Sequence, residues 1–122
     1  MKAAKELIDG LVSGGETMEE DLARELAERE DVGGQLDEII RGDRYWRESW
    51  APYHTLFILG LRGDEKSFKT LEYAIRERVE ELGDLVTEDL PSILYSFGGG
   101  YADRISTLAL DSSLDTYVRV AC

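Results

Sequence analysis

The stretch Leu56-Phe-Ile-Leu-Gly60 has a counterpart 38 residues later, Leu94-Tyr-Ser-Phe-Gly98, with a similar run of apolar residues and the same closing glycine. The residues downstream recur as well, at an offset of 37: Phe68, Thr70 and Leu71 correspond to Ile105, Thr107 and Leu108. A repeat of this length is typical of helical solenoids. One helical hairpin cannot cover its own apolar faces, so copies of it must stack. The sequence therefore predicts an all-α superhelix of stacked antiparallel hairpins.

Helical periodicity extends over the rest of the chain, and strand-like alternation never persists. Seven helices and the start of an eighth are predicted, and their boundaries follow from glycines and capping residues. Gly14-Gly15 ends the first helix, Thr17 and Glu20 have capping-box spacing for the second, and Gly42 ends the third. The fourth helix is predicted to be capped by Ser49 or Trp50 and to end at Leu59. Gly60 and Gly63 are predicted to form the turn that follows it.

The later boundaries rest on similar signals. Asp64 is predicted to cap a fifth helix whose apolar stripe runs from Phe68 to Leu82. A sixth helix should start at Thr87 or Asp89, with Pro91 in its first turn. The glycines at 98–100 then separate it from a short seventh helix.

Composition favours a single soluble domain over residues 1–122. The chain is 43% hydrophobic and 33% charged, and its net charge is −12. A charge this negative repels phosphate backbones and therefore disfavours nucleic-acid binding. Two interpretations stay open: the acidic surface binds basic proteins, or it is simply solvated. One cysteine, a charged N-terminal stretch and no long apolar run predict a cytoplasmic protein without a membrane segment.

The last residues, Asp115-Thr-Tyr-Val-Arg-Val-Ala-Cys122, begin a helix that nothing downstream covers. We therefore expect the chain to be truncated within a repeat at its C-terminus. The apolar residues near Val118 and Val120 should then be covered by a second molecule, by further chain or by disorder. A homo-oligomer that forms through this open end is one way to meet that expectation.

The motif Asp115-x-x-Val118-Arg119-x-Ala121 resembles the start of HEAT-type repeats, especially the short repeats related to phycobilisome lyases. The resemblance implies that Asp115 caps the first helix of a repeat and that Arg119 ties neighbouring repeats together. It also implies a non-catalytic protein-interaction module or scaffold. The alternative function is a lyase-like enzyme, or enzyme subunit, that acts on a bilin chromophore.

Two sets of residues are candidates for partner binding. Second helices of successive hairpins would line a concave face, and five residues there lie outside the apolar stripes: Lys69, Glu72, Tyr73, Arg76 and Arg104. The other set is the aromatic cluster Tyr45, Trp46, Trp50, Tyr53 and Phe57. Such rings are common binding anchors, but the apolar residues around them favour packing in the core.

The residues that could support catalysis are few. His54 is the single histidine, and Cys122 is 68 positions away from it. Neither a nucleophile–base pair nor a set of metal ligands with recognisable spacing is present. The sequence predicts no catalytic residue, metal or cofactor and favours a protein partner, whose identity it does not reveal.

Overall fold

In a computed structural model, which describes residues 3–15 and 18–122, the chain is helical and contains no β-strand within those ranges. Its α-helices are α1 (Ala4–Ser13), α2 (Glu20–Glu28), α3 (Gly33–Arg41), α4 (Arg44–Glu48), α5 (Ala51–Arg62), α6 (Glu65–Glu77), α7 (Val79–Leu82), α8 (Leu85–Glu88), α9 (Leu90–Ser96), α10 (Ala102–Leu110) and α11 (Thr116–Ala121). Short 3₁₀ helices, Glu30–Val32 and Gly99–Tyr101, precede α3 and α10. The predicted all-α class is confirmed.

Local capping chemistry explains several of these boundaries. The Asp64 carboxylate accepts a hydrogen bond from the Ser67 backbone N–H at 2.9 Å, which starts α6 as predicted. The Asp115 carboxylate accepts in the same way from the Tyr117 N–H at 2.9 Å and starts α11. Gly63, with φ +63°, adopts the left-handed conformation that ends α5.

Other predicted boundaries are wrong or lie outside the described residues. The stripe from Phe68 to Leu82 is not one helix, because the backbone leaves helical geometry at Arg78 (φ −123°, ψ 19°) and separates α6 from α7. Of the two starts predicted for the sixth helix, Asp89 is confirmed, since α9 begins directly after it and has Pro91 in its first turn, whereas Thr87 lies inside a further short helix, α8. Helix α2 begins at Glu20, and Thr17 of the predicted capping box lies outside the described residues.

Gly60 lies inside α5 and not in a turn, which corrects a further prediction. Helix α5 continues to Arg62, and Gly60 is buried against α9. A Cβ atom at this position would lie 3.1 Å from the Ile93 carbonyl oxygen. The glycine therefore permits the close approach of two helices.

The packing of the helices is organised around α5, whose surface is buried on several sides as its composition predicts. Helices α2 and α9 both pack against α5, and α3 packs against α5 and α6. Most of the core forms two clusters. One is centred on α1 to α3 and the other on α5, α6 and α9.

The C-terminal helix α11 packs on α8, α9 and α10 of the same chain. Val118 is 0% exposed and belongs to the larger cluster, whereas Val120 is 79% exposed. The expectation that Val118 needs cover from elsewhere is therefore wrong, because Val118 and Val120, two positions apart in a helix, lie on nearly opposite faces of α11. Oligomer formation through this end stays a prediction.

Among the described residues, no helix is both long enough and apolar enough to cross a membrane.

Candidate functional site

The five residues predicted to contact a partner lie on α6 and α10, and we call this set the α6–α10 face. Arg104 of α10 donates hydrogen bonds to Glu65 and, at 2.7 Å, to the Glu72 Oε1 atom. Its guanidinium also lies 4.5 Å from the centre of the Phe68 ring. Arg104 thus joins α10 to α6 through charge and stacking.

The other residues of the α6–α10 face are mostly engaged within the chain as well. Arg76 donates to Asp111 at 2.9 Å. The Ser113 hydroxyl and N–H, together with Arg76, lower the pKa of Asp111 to about 2. The guanidinium of Arg41 lies 4.6 Å above the Tyr73 ring, while Lys69 is exposed. Contact between this face and a partner stays a prediction.

Asp115 and Arg119, the two residues of the repeat motif, hold α11 in place. Asp115 caps the helix, and the Arg119 Nε donates to the Ala109 carbonyl oxygen at 2.9 Å. Ala109 is in the last turn of α10, where carbonyl groups lack helical partners. Arg119 therefore fixes α11 to the end of the preceding helix.

The predicted aromatic cluster is divided between core and surface. Trp46 is 8% exposed, and its indole N–H donates to the Ile40 carbonyl oxygen at 2.8 Å. Trp50 and Phe57, by contrast, are 47% and 38% exposed. The preference for core packing is confirmed for Trp46 and wrong for Trp50 and Phe57.

The exposed rings line a groove of about 370 Å³ between α5 and the α7–α8 segment. We call it the aromatic groove, and the side chains that define it are Trp50, Tyr53, Phe57, Glu81, Asp84 and Asp89. His54 and the buried Leu82 and Leu85 also line it. The groove thus combines an apolar lining with carboxylates.

Tyr53 fixes the geometry between the two sides of the aromatic groove. Its hydroxyl donates to the Glu81 carbonyl oxygen at 2.9 Å, which ties α5 to α7. Burial, together with the charge of Glu81, raises the pKa of Tyr53 and so favours the protonated phenol that donates this hydrogen bond. The Tyr53 ring centre lies 5.7 Å from that of Trp50. One wall of the groove is therefore a connected pair of rings.

His54 and Cys122 are the residues that the enzymatic alternative would use for catalysis, and they line different grooves. His54 lies in the aromatic groove and also beside α1, where its Nε2 is 2.8 Å from the Gly15 carbonyl oxygen. Cys122 lines a groove with Leu94 and Tyr95, and burial raises the pKa of its thiol. Within residues 3–15 and 18–122, no group of three or more His, Cys, Asp or Glu side chains could hold a metal ion.

Sequence reasoning missed two arginines that connect distant helix ends. The Arg62 Nη1 donates to the Leu26 and Arg29 carbonyl oxygens at 2.8 and 2.5 Å, at the end of α2. Arg78 donates to the Arg41 carbonyl oxygen at 2.7 Å, at the end of α3, and pairs with Asp43 at 2.8 Å. No local pattern marks these side chains, because their partners are more than thirty positions away.

In comparisons with known proteins, the chain matches no protein-family model, no curated protein and no solved structure.

Proposed function

We propose that this chain is a non-catalytic protein-interaction module built from stacked, HEAT-like helical hairpins. The hairpins would be α2–α3, α5–α6 and α9–α10, with α11 as the first helix of a further unit. In this arrangement the first helices, α2, α5 and α9, lie side by side, in agreement with their observed packing. The second helices of the first two hairpins, α3 and α6, also pack against each other.

The arginine contacts support this stacking. Arg62, at the end of α5, reaches the C-terminal carbonyls of α2. Arg78, just after α6, reaches the C-terminal end of α3 in the same way. Each arginine brings positive charge to the negative end of a helix dipole and satisfies carbonyl groups that have no partner in their own helix. Equivalent helices of successive hairpins are thus connected by equivalent contacts.

The observation that carries the proposed function is the exposure of Trp50 and Phe57 in the aromatic groove. Large aromatic side chains are enriched among the residues that dominate protein–protein binding energy. Exposed together in this groove, they provide rigid apolar area that loses little conformational entropy on binding.

A differential capture experiment tests the proposal. The wild-type chain and the double variant Trp50→Ala/Phe57→Ala are immobilised and exposed to a lysate of the source organism. Tyr95→Ala/Leu110→Ala is the matched control, because those residues are also exposed and apolar but lie outside the groove. We expect a protein bound by the wild type and the control to be lost from the groove variant, whose helical circular dichroism spectrum should be unchanged.

Two results would contradict the proposal. One is a set of captured proteins that is the same for all three chains, since binding would then not involve the groove. The other is a covalent adduct formed when the chain is incubated with a bilin and an acceptor subunit, which would establish the enzymatic alternative.

A further inference from the structure

We infer that the aromatic groove binds a basic segment of a partner protein and receives an arginine side chain from it. This inference rests on the proposed function, which it makes more specific by assigning the chemical class of the partner. Three features support it: the charge of the groove, the contacts between arginines and aromatic rings elsewhere in the chain, and the apolar lining of the groove.

The charge of the groove is negative and largely uncompensated. Glu81, Asp84 and Asp89 line it, and no lysine or arginine does so. Glu81 lies 3.6 Å from the Arg78 guanidinium. For Asp84 and Asp89, the described part of the chain offers no cation within 4.0 Å. A cationic occupant would pair with carboxylates that have no partner at present.

Asp84 and Asp89 are also not used as caps. They occupy the N-cap positions of α8 and α9, yet neither side chain accepts a hydrogen bond from those helices. Both carboxylates therefore keep their acceptor atoms available for a donor from outside the chain.

The aromatic residues point to arginine in particular. This chain places arginine over aromatic rings repeatedly: Arg41 over Tyr73, Arg44 over Tyr45, Arg78 over Trp46 and Arg104 over Phe68. Trp50 and Phe57 have no such arginine among the described residues. A guanidinium from a partner could stack on Trp50, the type of ring that binds cations best, and donate to a neighbouring carboxylate.

The lining and size of the groove suit the rest of such a side chain. Buried Leu82 and Leu85 offer apolar surface to the aliphatic stem of an arginine. The volume of about 370 Å³ is at the lower end of the roughly 300–1,000 Å³ of ligand pockets, so it suits one or two side chains. The net charge of −12 favours association with a basic protein and opposes a nucleic acid or an anionic membrane surface.

The test measures binding of a synthetic peptide by fluorescence anisotropy. The probe is a fluorescein-labelled peptide in which arginine alternates with glycine and serine, and the whole chain is titrated into it at about 0.15 M salt. Peptides with citrulline or lysine in place of arginine separate the effects of charge and of guanidinium shape. Citrulline keeps most of the shape and lacks the charge, so we expect it to abolish binding.

Matched variants of the protein locate the site. We expect Trp50→Ala/Phe57→Ala and Asp84→Asn/Asp89→Asn each to raise the Kd of the arginine peptide by about tenfold or more. Asp9→Asn/Asp103→Asn removes the same charge from exposed positions outside the groove and should change the Kd less than about twofold. The arginine peptide should also bind more tightly than the lysine peptide.

Three outcomes would overturn the inference. An equal loss of affinity in Asp9→Asn/Asp103→Asn would mean that net charge alone attracts the peptide. Groove-dependent self-association, seen by light scattering, would make a second copy of the chain the occupant. Failure of the arginine peptide to bind, when a protein captured from lysate still depends on Trp50 and Phe57, would reject the basic partner and leave the proposed function standing.

Discussion

The α6–α10 face and the aromatic groove use charged and aromatic side chains in opposite ways. On the α6–α10 face, Arg104 and Arg76 pair with carboxylates of the same chain, and Arg104 covers the Phe68 ring. In the groove, Trp50 is exposed near Asp84 and Asp89, two carboxylates that lack a cation among the described residues. Exposed charge is thus a weaker indication of a binding site than side chains whose interactions are unsatisfied.

The largest expected difference between the two regions concerns their phenylalanines. Phe68 is 0% exposed and contacts the rings of Phe97 and Tyr101. Phe68→Ala should lower the free energy of unfolding by about 3–5 kcal/mol, because it leaves a cavity. Phe57→Ala should lower it by less than about 1 kcal/mol, since Phe57 is already partly in water. Urea denaturation followed by circular dichroism measures both changes.

If Phe68→Ala does not fold, Phe68→Leu provides a second measurement at the same position. Phe68→Leu retains most of the apolar volume and should cost less than about 1.5–2 kcal/mol. Losses of similar size for Phe57→Ala and Phe68→Ala would contradict the division into an internally packed face and an open groove.

A smaller effect is expected from the arginine that joins α10 to α6. Arg104→Gln removes the ion pairs with Glu65 and Glu72 and the stacking on Phe68. Because the Arg104 side chain is partly solvated, the free energy of unfolding should fall by much less than it does for Phe68→Ala. Thermal unfolding at low salt measures the change, which should shrink as salt screens the ion pairs.

Arg47→Gln is the matched control for Arg104. Arg47 is exposed on α4, and the described residues provide it with no ion-pair partner. Its replacement should change the free energy of unfolding by less than about 0.5 kcal/mol. An equal effect of the two substitutions would show that the contacts of Arg104 add nothing to stability.

The smallest effect is the pH dependence associated with Asp111. Its pKa is lowered from 3.8 to about 2 in the folded chain by Ser113 and Arg76. The unfolded chain therefore binds a proton more readily, and the stabilisation is fully present above pH 3.8 and lost as pH falls through about 2. Asp111→Asn should differ from the wild type in unfolding free energy at pH about 5 and converge with it near pH about 2.

Asp84→Asn separates this effect from a general loss of negative charge. Asp84 belongs to the aromatic groove and lacks the hydrogen bonds that Asp111 receives. If Asp84→Asn and Asp111→Asn give the same pH profile, the contacts of Asp111 are not its cause.

Much of the secondary structure could be predicted because the signals are local. Asp64 and Asp115 cap the helices that they were expected to cap, and Gly63 ends α5. The break at Arg78 and the position of Gly60 inside α5 could not be predicted in this way. The apolar stripe continues past Arg78 to Leu82 without a break, and Gly60 is required by a contact with Ile93, in a different helix.

The candidate site could be predicted only in part. Sequence identified Trp46, Trp50, Tyr53 and Phe57 as a cluster, because their spacing would place them on one face of a continuous helix. It did not separate the buried Trp46 from the exposed Trp50 and Phe57. That division depends on α7 and α8, which reach Tyr53 through a contact 28 positions away and leave the neighbouring rings uncovered.

The sequence by itself therefore determined the helical class and the caps of α6 and α11, because periodicity and capping act between residues a few positions apart. Only the tertiary structure decided which aromatic rings face water, which arginines connect distant helix ends and which carboxylates have no cation. These properties depend on side chains that come together from separate helices, and no pattern within one helix specifies them.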